Sequence, residues 1–108
     1  MTTRKVHLQS VHKLHAEYIC DRMLVIAKFN SNGINCVFGY DKNNDIYVTF
    51  DNYKNQGNTH SGTELLYTSN PILAWDKYSS LVDKHMRKRI GDMLELQGKN
   101  RYTGEVEH

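Results

Sequence analysis

The sequence predicts an α+β domain, in which an antiparallel meander of three or four strands packs against a long C-terminal helix. Three observations predict it: three β-rich apolar runs lie between residues 22 and 53, Asn-rich turn segments separate them, and one long helical pattern begins at Pro71. A shorter helical pattern precedes the strands, so the expected order is roughly α-β-β-β-(β)-α. From the length of 108 residues, we assign 1–98 to one domain and 99–108 to a flexible tail.

The N-terminal segment predicts an arm followed by a helix. Residues 4–9 alternate weakly between polar and apolar side chains, which indicates a short edge strand or an ordered arm. Ser10 is a suitable N-cap, and apolar residues recur at helical spacing from Val11 to Tyr18. We therefore expect the first helix over 11–21.

The first two β-rich runs predict a β-hairpin. Asn32-Gly33 lies between them, and Asn-Gly is the preferred pair for a type I′ turn because both residues adopt positive φ. A turn centred there places apolar residues opposite one another on one face. The predicted pairs are Phe29 with Cys36, Ala27 with Phe38 and Val25 with Tyr40.

The second connection allows two registers. A two-residue turn at Asn43-Asn44 pairs Tyr40 with Tyr47, whereas a longer loop centred on Asn43 pairs Tyr40 with Ile46. We prefer the longer loop, because it keeps the apolar residues of the meander on one buried face. That face holds Met23, Val25, Ala27, Phe29, Ile34, Cys36, Phe38, Tyr40, Ile46, Val48 and Phe50. The opposite face holds Leu24, Ile26, Lys28, Asn35, Val37, Tyr47, Thr49 and Tyr53.

The last and longest element is a helix over 71–96, which follows a polar loop at 51–63 and a candidate fourth strand at 63–68. Ser69 or Asn70 can cap the helix, and Pro71 suits its first turn because that position needs no N–H donor. Its apolar stripe consists of Ile72, Trp75, Tyr78, Val82, Met86, Ile90 and Met93.

Such a helix is longer than a compact domain of this size is wide. It therefore either breaks near Gly91 or overhangs the domain. An overhanging apolar end needs a partner, which predicts a homodimer through the helix over 71–96.

Composition and charge exclude several classes of protein. The chain has 14 Lys and Arg against 12 Asp and Glu, and this net charge of +2 alone gives no argument for a nucleic-acid partner. An apolar share of 39% excludes a disordered chain. No run approaches the roughly 20 apolar residues of a transmembrane helix, so we expect no membrane partner.

Cys20 and Cys36 show no zinc-ligand spacing, and the N-terminus shows no secretory pattern. We therefore expect free thiols, no metal, no cofactor and a cytoplasmic location. Ten Asn, three Ala and one Pro are typical of an AT-rich coding sequence, as in many phages. In that case the location is the host cytoplasm.

Positive charge is concentrated near the two ends of the chain and within the last helix. Backbone phosphates are bound largely by such residues, and aromatic side chains on a sheet can stack on bases. The predicted binding residues are Arg4, Lys5, Lys28, Tyr47, Tyr53, His60, Lys84, Arg87, Lys88 and Arg89. The leading hypothesis is a small non-enzymatic protein that binds nucleic acid or a nucleic-acid-handling protein, such as a phage accessory or inhibitory protein.

Two alternatives come from other classes. Six histidines favour a small toxin-type endoribonuclease, in which His60 or His85 would act as acid and base and Lys54 or Arg87 would hold the phosphate. No catalytic spacing identifies such a site, so the catalytic residues stay unassigned. The other alternative is a homo-oligomeric protein-interaction module that assembles through the helix over 71–96.

Overall fold

Six antiparallel strands and one helix make up residues 10–106, the part of the chain that the computed structural model describes. The elements are β1 (Val11–Ile19), β2 (Met23–Ser31), β3 (Ile34–Asp41), β4 (Ile46–Asp51), β5 (Lys54–Gln56), β6 (Thr59–Thr68) and α1 (Pro71–Leu96). The strand order is β1-β6-β4-β3-β2, and β5 pairs with β6. The predicted α+β class, with a sheet against a long C-terminal helix, is confirmed. Arg4, Lys5 and the edge strand predicted at 4–9 lie outside the described residues.

The predicted helix over 11–21 is wrong, because this segment forms β1 and pairs with β6 along its whole length. His15 has a positive φ of 48° in the middle of the strand. Side chains at odd and even positions of a regular strand point to opposite faces of the sheet. Lys13 and Tyr18 nevertheless both contact the ring of Tyr67. The side chains of β1 therefore change faces near His15, and the apolar spacing no longer has the strict period of two that identifies a strand.

The β2–β3 hairpin forms at the predicted turn. Two of its three predicted pairs are confirmed, and the third is wrong because a β-bulge lies between Val25 and Ala27. The bulge places Val25 opposite Gly39 instead of Tyr40. The confirmed pairs are Phe29 with Cys36 and Ala27 with Phe38.

The preferred register of the next hairpin is also wrong. Tyr40 pairs with Tyr47, one residue away from the preferred partner Ile46. The buried Asp41 carboxylate holds this turn, since it accepts hydrogen bonds from the backbone and the side-chain amide of Asn44 at 3.4 and 2.8 Å. These bonds to the turn support the shorter connection.

The preferred register of this hairpin assumed that only one face of the sheet is buried. It is wrong because the sheet buries apolar side chains on both faces. The cluster under α1 consists of Cys36, Phe38, Ala74, Tyr78 and Leu81. The cluster on the opposite face, here called the open face, consists of Val37, Val48, Phe50 and Leu65, with Tyr18, Tyr53 and Tyr67 packed against it. Tyr47 and Thr49, predicted on the open face, lie under α1, where the Thr49 hydroxyl donates to the Ala74 carbonyl at 2.8 Å.

α1 begins as predicted and runs unbroken past Gly91. The side-chain oxygen of Asn70 accepts hydrogen bonds from the N–H groups of Ile72 and Leu73 at 2.9 and 3.4 Å, and Pro71 follows it. This cap satisfies two donors that have no partner within the helix.

The packed face of α1 is rotated from the predicted stripe. Its buried side chains are Ala74, Tyr78 and Leu81. Most of the predicted stripe is exposed instead: Ile72, Trp75, Met86, Ile90 and Met93. Tyr78 and Val82 of that stripe pack into the cluster under α1, and the half-exposed ring of Trp75 meets Phe38 of β3 at 5.7 Å.

The predicted loop at 51–63 is wrong in part, since it contains β5 and the first residues of β6. The strand predicted at 63–68 is confirmed as the remainder of β6. Residues 99–106, predicted as a flexible tail, fold back: Lys99 pairs with Val106 in a β-bridge, and the Arg101 guanidinium lies across Gly91.

Candidate functional site

The basic residues of α1 are largely neutralised by carboxylates. Arg87 Nε lies 2.7 Å from Asp83, and Lys88 Nζ lies 2.9 Å from Asp92, both one helical turn away. Exposed pairs of this kind are weak, but they cancel the local field that a polyanion would sense. Arg89 is exposed and makes no ion pair with any residue in 10–106. The predicted cationic face is therefore less positive than its sequence indicates.

Lys28, Tyr47 and Tyr53 were predicted on one face of the sheet. The structure brings Lys28 and Tyr53 together and places Tyr47 on the other face. Lys28 and Tyr53 line one shallow hollow of about 370 Å³ on the open face, together with Val25, Ile26 and Asn35. Tyr47 lies on the other side of the sheet, where its ring stacks on Phe38 and meets Tyr40 at 4.8 Å.

His60, predicted in an exposed loop, is buried at 5% exposure within β6. Its Nε2 lies 3.0 Å from the carbonyl oxygen of Cys20, which can only accept, so Nε2 carries the proton. Nδ1 then accepts from the hydroxyl of Tyr53 at 2.8 Å. These bonds tie the β1–β2 connection to β6, and they leave His60 out of reach of a polynucleotide on the surface.

A polar cluster between α1 and the sheet contains the other histidine considered for catalysis. His85 Nε2 lies 2.8 Å from Asp51 Oδ1, and Lys84 Nζ donates to Asp51 Oδ2 at 3.1 Å. The fully buried thiol of Cys36 donates to Asp51 Oδ1 at 3.7 Å. We call Cys36, Asp51 and His85 the Cys-Asp-His cluster; their potential ligand atoms all lie within 4.8 Å of one another.

The pKa shifts in this cluster argue against a nucleophilic cysteine. Burial, reinforced by the adjacent Asp51 carboxylate, raises the pKa of the Cys36 thiol to about 12. Burial alone would also raise the pKa of Asp51, but the hydrogen bonds from His85 and Lys84 outweigh it and hold that pKa below its ordinary value. A reactive cysteine needs a lowered pKa and access to solvent, and Cys36 has neither.

Sequence reasoning missed this cluster because no local spacing encodes it. Cys36 comes from β3, Asp51 from the end of β4, and His85 from the middle of α1. Fifteen residues separate the first two and thirty-four the last two. The two-residue period that places Cys36 and Asp51 on the helix side of the sheet is the only signal that could have linked them.

Five of the seven large exposed apolar residues of α1 follow a heptad, and Leu73 and Ile90 lie outside it. Positions spaced alternately by three and four residues are Ile72, Trp75, Ser79, Val82, Met86, Arg89, Met93 and Leu96, here called the α1 seam. Trp75, Met93 and Leu96 of the seam are 47%, 53% and 88% exposed. Sequence analysis identified most of these apolar positions, placed the helix against the sheet, and expected only an overhanging C-terminal end to need a partner.

The α1 seam borders the edge strand β2. A groove of about 410 Å³ separates them, lined by Phe29 and Lys28 on β2 and by Trp75, Val82 and Met86 on α1. The edge strand is itself apolar, with exposed Leu24, Val25 and Ile26. Exposed apolar surface of this extent on a small domain marks a contact surface.

The chain matches no protein-family model, and neither a curated protein nor a solved structure is similar to it. The part of the chain at 10–106 has no helix long and apolar enough to cross a membrane. Function is therefore argued from the surface alone.

Proposed function

We propose that this chain is a small non-enzymatic protein-interaction module that assembles with a second copy of itself through the α1 seam. The observation that carries the proposal is a heptad on α1 in which five apolar residues are exposed (Ile72, Trp75, Met86, Met93 and Leu96), on a helix that packs against the sheet with another face. A stripe that repeats every 3.5 residues is the pattern of a helix that pairs with a second helix. The buried face of α1 is formed mainly by Ala74, Tyr78 and Leu81; of the seam, Val82 packs against the same cluster and Trp75 contacts its Phe38.

The α1 seam is complementary to itself when two copies run antiparallel. With a two-fold axis near Lys84, Ile72 meets Leu96 of the partner subunit, and Trp75 meets Met93 of the partner subunit. At the centre, Val82 meets Met86 of the partner subunit. Apolar positions thus meet apolar positions at both ends and at the centre. This self-complementarity is what a two-fold interface requires.

The polar seam positions and the flanking charges fit the same arrangement. The two polar positions, Ser79 and Arg89, face each other in this antiparallel register. Asp83, which holds Arg87 in its own helix at 2.7 Å, lies near the axis and within reach of Arg87 of the partner subunit. Arg87 and Lys88 are each paired with a carboxylate of the same helix, so these two cations add little repulsion between the copies.

The test is the mass in solution over a wide concentration range, measured by light scattering coupled to size exclusion. We expect the wild type to reach twice 12.6 kDa. Met93→Glu and Ile72→Glu should each shift it to the monomer, because each puts a charge at the seam while circular dichroism stays unchanged. Leu14→Glu, at a residue that is 66% exposed on β1, the sheet edge opposite β2, is the matched control and should remain dimeric.

Two results would overturn the proposal. One is a wild type that stays monomeric at the highest concentration. The other is a dimer that survives both seam variants but is lost in Leu24→Glu, which would assign the interface to the β2 edge.

Free, buried Cys20 and Cys36 fit the reducing cytoplasm in which this module is proposed to act.

The hollow on the open face favours a second candidate function, contact with single-stranded nucleic acid. It brings a cation, Lys28, beside an aromatic ring, Tyr53, and this combination binds single strands without sequence preference. Anisotropy titrations with labelled single-stranded RNA and DNA test it. The affinity should fall with salt, and Lys28→Gln should flatten that slope, with Lys42→Gln as control. Salt-independent or absent binding would remove this candidate.

A further inference from the structure

We propose that the Cys-Asp-His cluster is a zinc site, in which Cys36 Sγ, one Asp51 carboxylate oxygen and His85 Nε2 bind a single Zn²⁺ between α1 and the sheet. The three atoms combine thiolate, carboxylate and imidazole, all of which are zinc ligands in proteins. Magnesium and calcium prefer all-oxygen sites, so the sulfur and nitrogen donors select against them. The site is independent of the dimer proposed above.

Two of the three ligand-atom separations are near those that a tetrahedral ion needs, and all three atoms lie within 4.8 Å of one another. Zinc lies about 2.3 Å from sulfur and about 2.0–2.1 Å from nitrogen and oxygen, so neighbouring ligand atoms are about 3.3–3.6 Å apart. Cys36 Sγ and Asp51 Oδ1 are 3.7 Å apart, and His85 Nε2 and Asp51 Oδ1 are 2.8 Å apart. Zinc binding requires the last pair to separate by about half an ångström, which a small rotation of the His85 side chain provides.

Three protein ligands leave the fourth position for water. Cys36 is fully buried, whereas the side chain of His85 is 13% exposed and that of Lys84 is 56% exposed. The ion therefore enters from the α1 side, past Lys84. Three protein ligands with water as the fourth make up a three-ligand zinc site.

The Lys84 ammonium and a zinc ion compete for the same Asp51 carboxylate. Without zinc, the Asp51 carboxylate is held by the Lys84 ammonium and by His85. When zinc binds, the Cys36 thiol gives up its proton to solvent, and thiolate plus carboxylate neutralise the two charges of the ion. Lys84 is then surplus and moves into water. Zinc affinity should therefore rise with pH, and Lys84→Gln should tighten binding because it removes the competing cation.

The cluster does not depend on zinc to fold. Every buried side-chain nitrogen and oxygen in 10–106 has a hydrogen-bond partner without an ion. Zinc binding should thus add to the stability of a domain that is already folded, which allows titration of the native protein.

The experiment titrates chelator-treated, full-length protein with Co²⁺ and then with Zn²⁺. Co²⁺ bound to a thiolate in four-coordinate geometry gives an intense near-ultraviolet charge-transfer band and visible d–d bands. We expect these bands to saturate at one ion per chain and to be displaced by Zn²⁺. Cys36→Ser and His85→Gln should lose the bands, and Cys20→Ser, at the other buried cysteine, should keep them.

Melting curves with zinc and with chelator give the second readout. Zinc should raise the melting temperature of the wild type and of Lys84→Gln, but not of Cys36→Ser. His12→Gln, at a histidine paired with Glu64 outside the cluster, should behave as wild type. If the wild type shows no thiolate band, or Cys36→Ser keeps both the band and the zinc-induced shift, the proposal is overturned.

Discussion

The hydroxyl of Tyr18 donates to Asp41 Oδ2 at 2.7 Å, which joins β1 directly to β3. Two strands, β6 and β4, lie between them in the sheet order. In a flat sheet three steps of about 4.8 Å would hold them about 14 Å apart. The sheet therefore curls around its open face, and this curl buries Val37, Val48 and Phe50 without a covering helix.

Tyr18→Phe should destabilise the protein by about 1.5–3 kcal/mol, since it removes a hydrogen bond to a buried carboxylate. The loss also raises the pKa of Asp41, whose burial is offset by bonds from Asn44 and Tyr18. Urea denaturation followed by tryptophan fluorescence measures the change.

Tyr40→Phe is the matched control for this prediction. Its hydroxyl donates to Asp45 at 2.8 Å in an exposed pair on the second hairpin. Its loss should change the midpoint of unfolding very little, because water replaces the bond. Equal effects of the two variants would contradict the idea that the Tyr18 contact closes the curled sheet.

Alanine substitutions at two glycines test how closely the surrounding atoms pack. One substitution should lower the stability of the fold, and the other should leave it unchanged or raise it. A Cβ at Gly62 would lie 2.5 Å from the carbonyl oxygen of Asp51, which is backbone and cannot move freely. Gly62→Ala should therefore cost about 1–3 kcal/mol. A Cβ at Gly91 would meet the far end of the Arg101 side chain at 2.7 Å, which can shift into solvent.

Gly91→Ala should leave the stability unchanged or raise it by up to about 1 kcal/mol, because alanine favours the helix interior. Equilibrium unfolding of both alanine variants beside the wild type measures the contrast. A Gly91→Ala variant as unstable as Gly62→Ala would mean that the Arg101 contact with α1 is rigid.

Features encoded by adjacent residues could be predicted from the sequence. Asn32-Gly33 predicted the first hairpin, and Asn70-Pro71 predicted the start of α1, because turn and cap chemistry act within a few residues. β1 could not be predicted in this way, since it is a strand only by virtue of pairing with β6, more than forty residues later.

The same distinction explains the errors in the core and the site. Choosing the register at Tyr47 assumed that the sheet has one buried face, whereas curling gives it two. The apolar pattern of α1 correctly predicted an amphipathic helix. It did not predict which stripe faces the sheet, because a stripe through Tyr78 and a stripe through Trp75 both have helical spacing. The Asp51–His85 contact joins residues thirty-four positions apart, and the sequence carries no local signal for it.

Acid should remove the stabilisation that Asp51 provides. Its folded pKa lies below the ordinary value of 3.8, mainly because bonds from His85 and Lys84 overcome the effect of burial. A carboxyl with a lowered pKa stabilises the fold above its unfolded pKa, and this contribution is lost as pH falls through the folded value. Asp51→Asn should thus be less stable than the wild type at neutral pH, and the difference should narrow below pH 3.8.

Urea unfolding at several pH values measures that difference. Asp92→Asn is the control, since Asp92 pairs with Lys88 in an exposed position, and exposed pairs contribute little. A gap between the wild type and Asp51→Asn that stays constant down to the lowest pH would contradict the role assigned to the Asp51 ion pairs.

Both cysteines of the metal-free native protein should resist thiol reagents. Cys36 is fully buried, and its thiol pKa is raised to about 12 by burial and by Asp51, so the thiol stays protonated at neutral pH. Cys20 is also buried, and burial raises its pKa. Titration with an aromatic disulfide should detect no thiol in buffer with chelator and two thiols per chain in urea. Rapid labelling of Cys36 in the native state would show that the interface between α1 and the sheet opens, and it would reopen the question of a nucleophilic role for this residue.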